Sequence, residues 1–204
     1  MTGSNCIFKT GSSCNFIAGS NCTFKTGSNC IFKTGLSGIT FMTGSNCIFK
    51  TGSSCNFIAG SNCTFKTGSN CIFKTGSSCI FKTGSSCNFI AGSSCNFIAG
   101  SNCTFKTGSN CIFKTGSSCN FIAGSNCTFK TGSNCIFKTG KECVVVRRDI
   151  FEVIKLEENK PIRLNDYKIE GFEYIKPEHI ITIDGKEIKL SKERFNELKK
   201  QLIG

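Results

Sequence analysis

The sequence predicts an all-β solenoid built from an octapeptide repeat, with two repeats per coil, closed by a small C-terminal α+β cap. Three observations carry this. The period is fixed at eight, every regular unit places Cys and Phe two residues apart, and the composition changes abruptly near residue 140. From Gly3 the chain reads GSNCIFKT, GSSCNFIA, GSNCTFKT, GSNCIFKT, and it continues as G-S-[NS]-C-[ITN]-F-[KI]-[TA] for 17 units to Thr139. A short fixed period marks a solenoid or array and outranks local propensity.

Within a unit, residues two apart on a strand share a face. Cys and Phe therefore point inward, as in the core ladder Cys63, Phe65, Cys71, Phe73, Cys79 and Phe81. The residue between them (Ile7, Asn15, Thr23) points outward, as does the Lys or Ile after Phe. Thr-Gly-Ser is the expected corner, with Gly supplying a positive φ. A helix is excluded, because eight does not match 3.6 and one Gly per unit costs about 1 kcal/mol each time. Two units per coil give a flat rung of about 16 residues and three a triangular rung of about 24. The flat form is expected, because Phe facing Cys fills a core two side chains thick. At about 4.8 Å per rung the rod is about 40 Å long. The irregular unit Gly35 to Thr43 has nine residues, with Gly38 expected in the Cys slot.

Residues 1–140 carry 11 Lys and no Arg, Asp or Glu, whereas 141–204 hold all 13 acidic residues. The break divides the chain into a solenoid, 1–140, and a cap or interaction domain, 141–204. In the second part, Cys143 to Val146 continues the last solenoid strand. Phe151 to Leu156 and Ile162 to Leu164 read as strands around a Glu157–Lys160 turn. Ile180 to Leu190 reads as a hairpin turning at Asp184-Gly185. Ser191 is the expected cap of a helix with Glu193 in its first turn and Phe195, Leu198 and Leu202 along one face. This segment is expected to cover the open edge strands of the rod.

The repeated Asn-Cys-Thr-Phe-Lys-Thr-Gly (Asn21 to Gly27, Asn62 to Gly68), with Cys143 to Arg148 after it, resembles the N-C-T-F-x-T-G octapeptide repeats of uncharacterised bacteriophage and bacterial proteins. That resemblance implies a β-solenoid and a phage or prophage setting, and no known activity. The repeat is also similar to pentapeptide-repeat solenoids, some of which imitate DNA. It departs from them in period and in being basic.

The 17 cysteines are always spaced by a whole unit within the repeat, never as C-x₂-C, and no His accompanies them there. They read as a buried thiol ladder, with disulfides or soft-metal binding as alternatives. The lysines fall into two sets. Odd-numbered units present Lys9, Lys25, Lys74, Lys106 and Lys138. Even-numbered units present Lys33, Lys50, Lys66, Lys82, Lys114 and Lys130, the candidate polyanion-binding set. Ammonium groups one rung apart repel by roughly 0.9 kcal/mol at water's dielectric constant. Such a face suits DNA, RNA, lipopolysaccharide or an acidic protein, or it serves solubility and keeps rods apart. The absence of Arg from the repeats and the burial of Phe argue against sequence-specific readout. A uniform Thr array of the ice-binding kind is missing. His179 is the only imidazole, and no Ser-His-Asp set, P-loop or HExxH occurs.

The expected function is thus a non-enzymatic structural or binding scaffold without cofactor. The alternatives are a non-specific nucleic-acid or polyanion binder and a thiol-rich metal-binding protein. A homo-oligomer is compatible with all three. No apolar run reaches the roughly 18 residues of a membrane span. The first residues lack a basic and apolar leader pattern, so the expected location is a bacterial cytoplasm or a virion.

Overall fold

The computed structural model describes residues 4–34, 37–175, 179–183, 186–190 and 192–203. Seventeen short strands, β1 (Ile7–Lys9) and β2 (Asn15–Ile17) through β16 (Thr128–Thr131) and β17 (Ile136–Thr139), fall one to each repeat. Odd-numbered strands build one parallel sheet and even-numbered strands another. Each strand pairs with the one two units on, so Ile7 lies beside Thr23 and Phe8 beside Phe24. The rung is therefore two repeats, and the molecule is a two-sided β-solenoid of about nine coils. The alternation of Cys and Phe against exposed neighbours fixes the strand phase, since a slip of one residue would turn every Phe outward. Strand after strand shows an exposed–buried–exposed pattern.

Phe faces Phe across the core, where the sequence suggested Phe facing Cys. The chain reverses direction at every corner, so strand midpoints oppose each other. Phe73 stacks on Phe57 and Phe89 of its own sheet at 4.9 and 4.8 Å, nearly parallel. It meets Phe65 and Phe81 of the other sheet at 5.3 Å, edge to face at 75° and 77°. Both arrangements suit the ring quadrupole.

The corners correct a second expectation. In the regular repeats the left-handed residue is the Asn or Ser at the third position, with φ between 53° and 60°. Asn is enriched there because its short polar side chain bonds locally, and Ser fills the same slot here. The repeat Gly has a steric duty instead. A Cβ on Gly84 would stand 2.2 Å from the Ser69 hydroxyl of the preceding coil. That hydroxyl accepts the Ser85 amide at 3.0 Å. The same Ser-to-Ser bond runs from coil to coil along both corners. Gly must remain bare so that successive corners can close on this hydroxyl.

The irregular unit is threaded differently from the sequence reading. Ile39, fully buried, occupies the Cys slot, and its carbonyl accepts the Asn56 amide as a Cys carbonyl does elsewhere. Gly38 takes the left-handed slot at φ 76°. The Ser37 carbonyl accepts the Asn21 amide, so the corner is back in step by residue 37. Residues 35 and 36 lie outside the described set. The register across this unit is 17 residues rather than 16, as Thr23 beside Thr40 records.

At the C-terminal end β18 (Cys143–Arg147) adds to β16 in parallel. Then β19 (Val153–Leu156) turns back along β18, and β20 (Ile162–Leu164) pairs antiparallel with β17. β21 (Phe172–Tyr174) extends that sheet beyond β20. The two strands expected around the Glu157–Lys160 turn both form, but they pair with different sheets rather than with each other. The turn carries the chain from one face to the other, and each sheet receives an antiparallel edge. Phe151 stands outside β19, exposed and at φ 57°, because the chain is still reversing there.

β22 (His179–Ile183) and β23 (Lys186–Leu190) form a separate antiparallel pair, followed by α1 (Lys192–Ile203). The Asp184-Gly185 turn and the Ser191 cap lie outside the described residues. Among the described residues, no helix is long and apolar enough to cross a membrane.

Candidate functional site

The outward residues form columns, because in-register parallel strands repeat each side chain from rung to rung. On the even-numbered face Lys33, Lys50, Lys66 and Lys82 are consecutive neighbours. Ile98 follows Lys82, and Lys114 and Lys130 complete the column. All six lysines are exposed. On the odd-numbered face only Lys9 and Lys25 are adjacent. Beyond them Met42 and Ile58 intervene, and Lys74, Lys106 and Lys138 are separated by Ile90 and Ile122. The two faces, nearly alike in composition, thus differ in arrangement: one has a run of charge and the other a chequer of charge and aliphatic groups.

Beside the even-face lysine column runs a second column, Ile31, Ile48, Thr64, Ile80, Asn96 and Ile112. Its isoleucines are 44% to 56% exposed. Where Ile98 interrupts the lysines, Ile80, Asn96, Ile98, Ile112 and Lys114 line a shallow hollow of about 360 Å³.

Inside, each cysteine is a free thiol. The six ladder positions Cys63, Phe65, Cys71, Phe73, Cys79 and Phe81 are at most 1% exposed. The thiols lie along the corner carbonyls: Cys71 donates to Ser69 at 3.4 Å, to Gly68 at 3.6 Å and to Gly52 of the preceding coil at 3.8 Å. A small apolar side chain with a weak donor suits this slot. Within a column the shifts alternate. Cys63 and Cys95 are pushed up by adjoining thiols and then by burial, while Cys79 between them is pulled down by hydrogen bonds from both. Burial raises every one of these thiols, and the hydrogen bonds between neighbours decide which members of the column go up and which go down. Among the described residues no group of three His, Cys, Asp or Glu is arranged to hold a metal ion.

One charged cluster escaped the sequence reading. Arg147, at the end of β18, is fully buried. Its Nη2 donates to Asp149 at 2.6 Å and to the Asp166 carbonyl at 3.0 Å, and Nη1 donates to the Ile169 carbonyl. Glu152 lies 3.6 Å away and also accepts the Gly171 amide. Burial raises the Asp149 carboxyl, but the Arg147 guanidinium and the Lys168 amide outweigh it and hold it below the usual carboxylate range. The cluster ties residues 149–171 to the last coil. Its only sequence signal was an Arg at an inward position of a strand. The side chain of His179 lies outside the described residues.

Fold and columns together define the class: a β-solenoid repeat protein that presents two flat, ordered faces. No protein-family model, curated protein or solved structure matches the chain.

Proposed function

We propose that this protein is a non-enzymatic rod that serves as a structural or binding scaffold, in the phage or prophage setting that the repeat resembles. The observation that carries this reading is the division of the repeat. Its chemically reactive groups, the thiols, are sealed in the core, and its variable residues are held outside in straight columns. A scaffold needs that division, whereas catalysis needs convergent groups in a concave site.

A second reading, polyanion binding, is favoured by the run of exposed lysines and the absence of any acidic residue from 1–140. The test is binding of the reduced protein to random duplex DNA and to heparin from about 50 to 300 mM salt. Affinity that falls steeply with salt makes the cationic faces the contact surface. A flat response retires that reading and moves attention to the exposed Phe151, Tyr167 and Ile169 of the C-terminal segment.

A further inference from the structure

We infer that the even-numbered face binds single-stranded nucleic acid along its paired columns, while the odd-numbered face does not. The inference rests on the polyanion reading and narrows it to one face and one ligand. Three features point to it.

The charge run is linear. From Lys33 to Lys130 it covers six strand steps, about 29 Å at the usual strand spacing. A duplex turns fully in about 34–36 Å, so either of its strands soon curves away from a flat face and meets only a few of the lysines. A flexible single strand can follow all six.

The charge run is also accompanied. Residues two apart on a strand are separated by about 6.6 Å. The column Ile31, Ile48, Thr64, Ile80, Asn96 and Ile112 therefore lies one side-chain row from the lysines. A nucleic-acid strand has the same two-edged character, with phosphates along one side and flat, weakly polar bases along the other. Linear polyphosphate has only the charged edge. The hollow lined by Ile80, Asn96, Ile98, Ile112 and Lys114 gives a base a mostly apolar seat, with Lys114 at its edge and Lys82 one rung from Ile98 on the other side. Four of the six residues in that column are aliphatic, and Thr64 and Asn96 alone offer too few donors and acceptors to read a base sequence.

Finally, the opposite face supplies an internal control. Its lysines are interrupted by Met42, Ile58, Ile90 and Ile122, so no more than two stand side by side there, against four in succession on the even-numbered face.

The experiment is fluorescence anisotropy with a labelled oligo-dT of about 20 nucleotides, with duplex DNA and inorganic polyphosphate as competitors, over a salt series. Two variants are compared with the parent: Lys50→Gln/Lys66→Gln/Lys82→Gln and Lys74→Gln/Lys106→Gln/Lys138→Gln. All six positions are exposed, so melting temperatures should stay close to the parent's, and this is checked first. The even-face variant should weaken oligo-dT binding about tenfold or more and reduce the log–log salt slope by about 2, at about 0.7 per lost contact. The odd-face variant should leave affinity within about twofold. A third variant, Ile80→Ser/Ile98→Ser, should weaken oligo-dT binding without changing the salt slope or polyphosphate binding.

Equal losses in the two lysine variants would overturn the face assignment while leaving polyanion binding standing. Polyphosphate or duplex binding as tight as oligo-dT would overturn the single-strand assignment in the same way. No binding of any of the three at 50 mM salt would remove both the inference and the polyanion reading, with the scaffold reading untouched.

Discussion

At the residue scale the repeat is a set of positions each with a different physical duty. Cys and Phe fill the core, Ser carries the corner hydrogen bond, Asn or Ser accepts the left-handed backbone, and Gly leaves room for the hydroxyl below it. Gly84 has no positive φ, so Gly84→Ala tests sterics directly. It should cost about 1–3 kcal/mol by overpacking, although Ala is the easier residue in a chain of ordinary φ. Because the Ser69 hydroxyl is the nearest obstacle, the cost should be smaller in a Ser69→Ala background. A double-mutant cycle by urea unfolding reads the coupling, and strict additivity would dismiss the contact. Phe73→Ala should cost about 3–5 kcal/mol, since four rings pack against it. Lys74→Ala should stay within about 0.5 kcal/mol. The reverse order would mean that the strand phase is wrong.

At the element scale the decisive event is the change from parallel to antiparallel pairing at the C-terminal end. β19 and β20 cover the last strand of each sheet, and the Arg147 cluster pins the connections from β18 to β19 and from β20 to β21. Arg147→Ala leaves Asp149 buried without its partner and should cost about 3–5 kcal/mol. Asp149 adds a pH dependence of definite sign. Its folded pKa is lowered, so its contribution is present above the unfolded value of about 3.9 and is lost as pH falls through the folded value. The melting temperature should therefore drop on acidification below that value, and Asp149→Asn should begin lower at pH 7 and lose less over the same range. An unchanged acid profile in Asp149→Asn would remove the carboxylate from the account. Deleting 141–204 takes away β18 to β21 and bares both sheet edges. The truncated rod should associate end to end in sedimentation, and a soluble monomer would count against the capping role.

At the scale of the whole molecule the rod is uniform in its middle and different at its ends. Cys6, Phe8, Cys14 and Phe16 in the first coil are only partly buried, whereas Cys22 to Cys143 are closed off. A thiol reagent added to native, reduced protein should label Cys6 and Cys14 first and reach the others only on unfolding, as mass mapping of labelled peptides would record. Uniform labelling under native conditions would contradict a sealed core. The two faces belong to this scale too, because a column exists only once coils are stacked.

By itself, the sequence determined the period, the strand phase, the inward Cys and Phe, the outward lysines and the position where the repeats stop. All of these follow from local alternation repeated without variation, and repetition makes a local rule global. The two-repeat coil was expected from a core two side chains thick, which Phe facing Phe fills in place of the expected Phe facing Cys, and pairing of residues 16 apart realises it. What surrounds each residue was decided only by stacking. The need for Gly arises from a serine 15 residues earlier in the chain, and Phe faces Phe because the corner reverses the strand. Residues 149–171 close on Arg147 through contacts up to 22 residues away. The even-face charge run likewise needed the coil, since lysines 16 or 17 residues apart become neighbours only through the register of parallel strands. Local pattern sets which side of the sheet a residue faces, whereas contacts between distant residues require the closure of the chain upon itself.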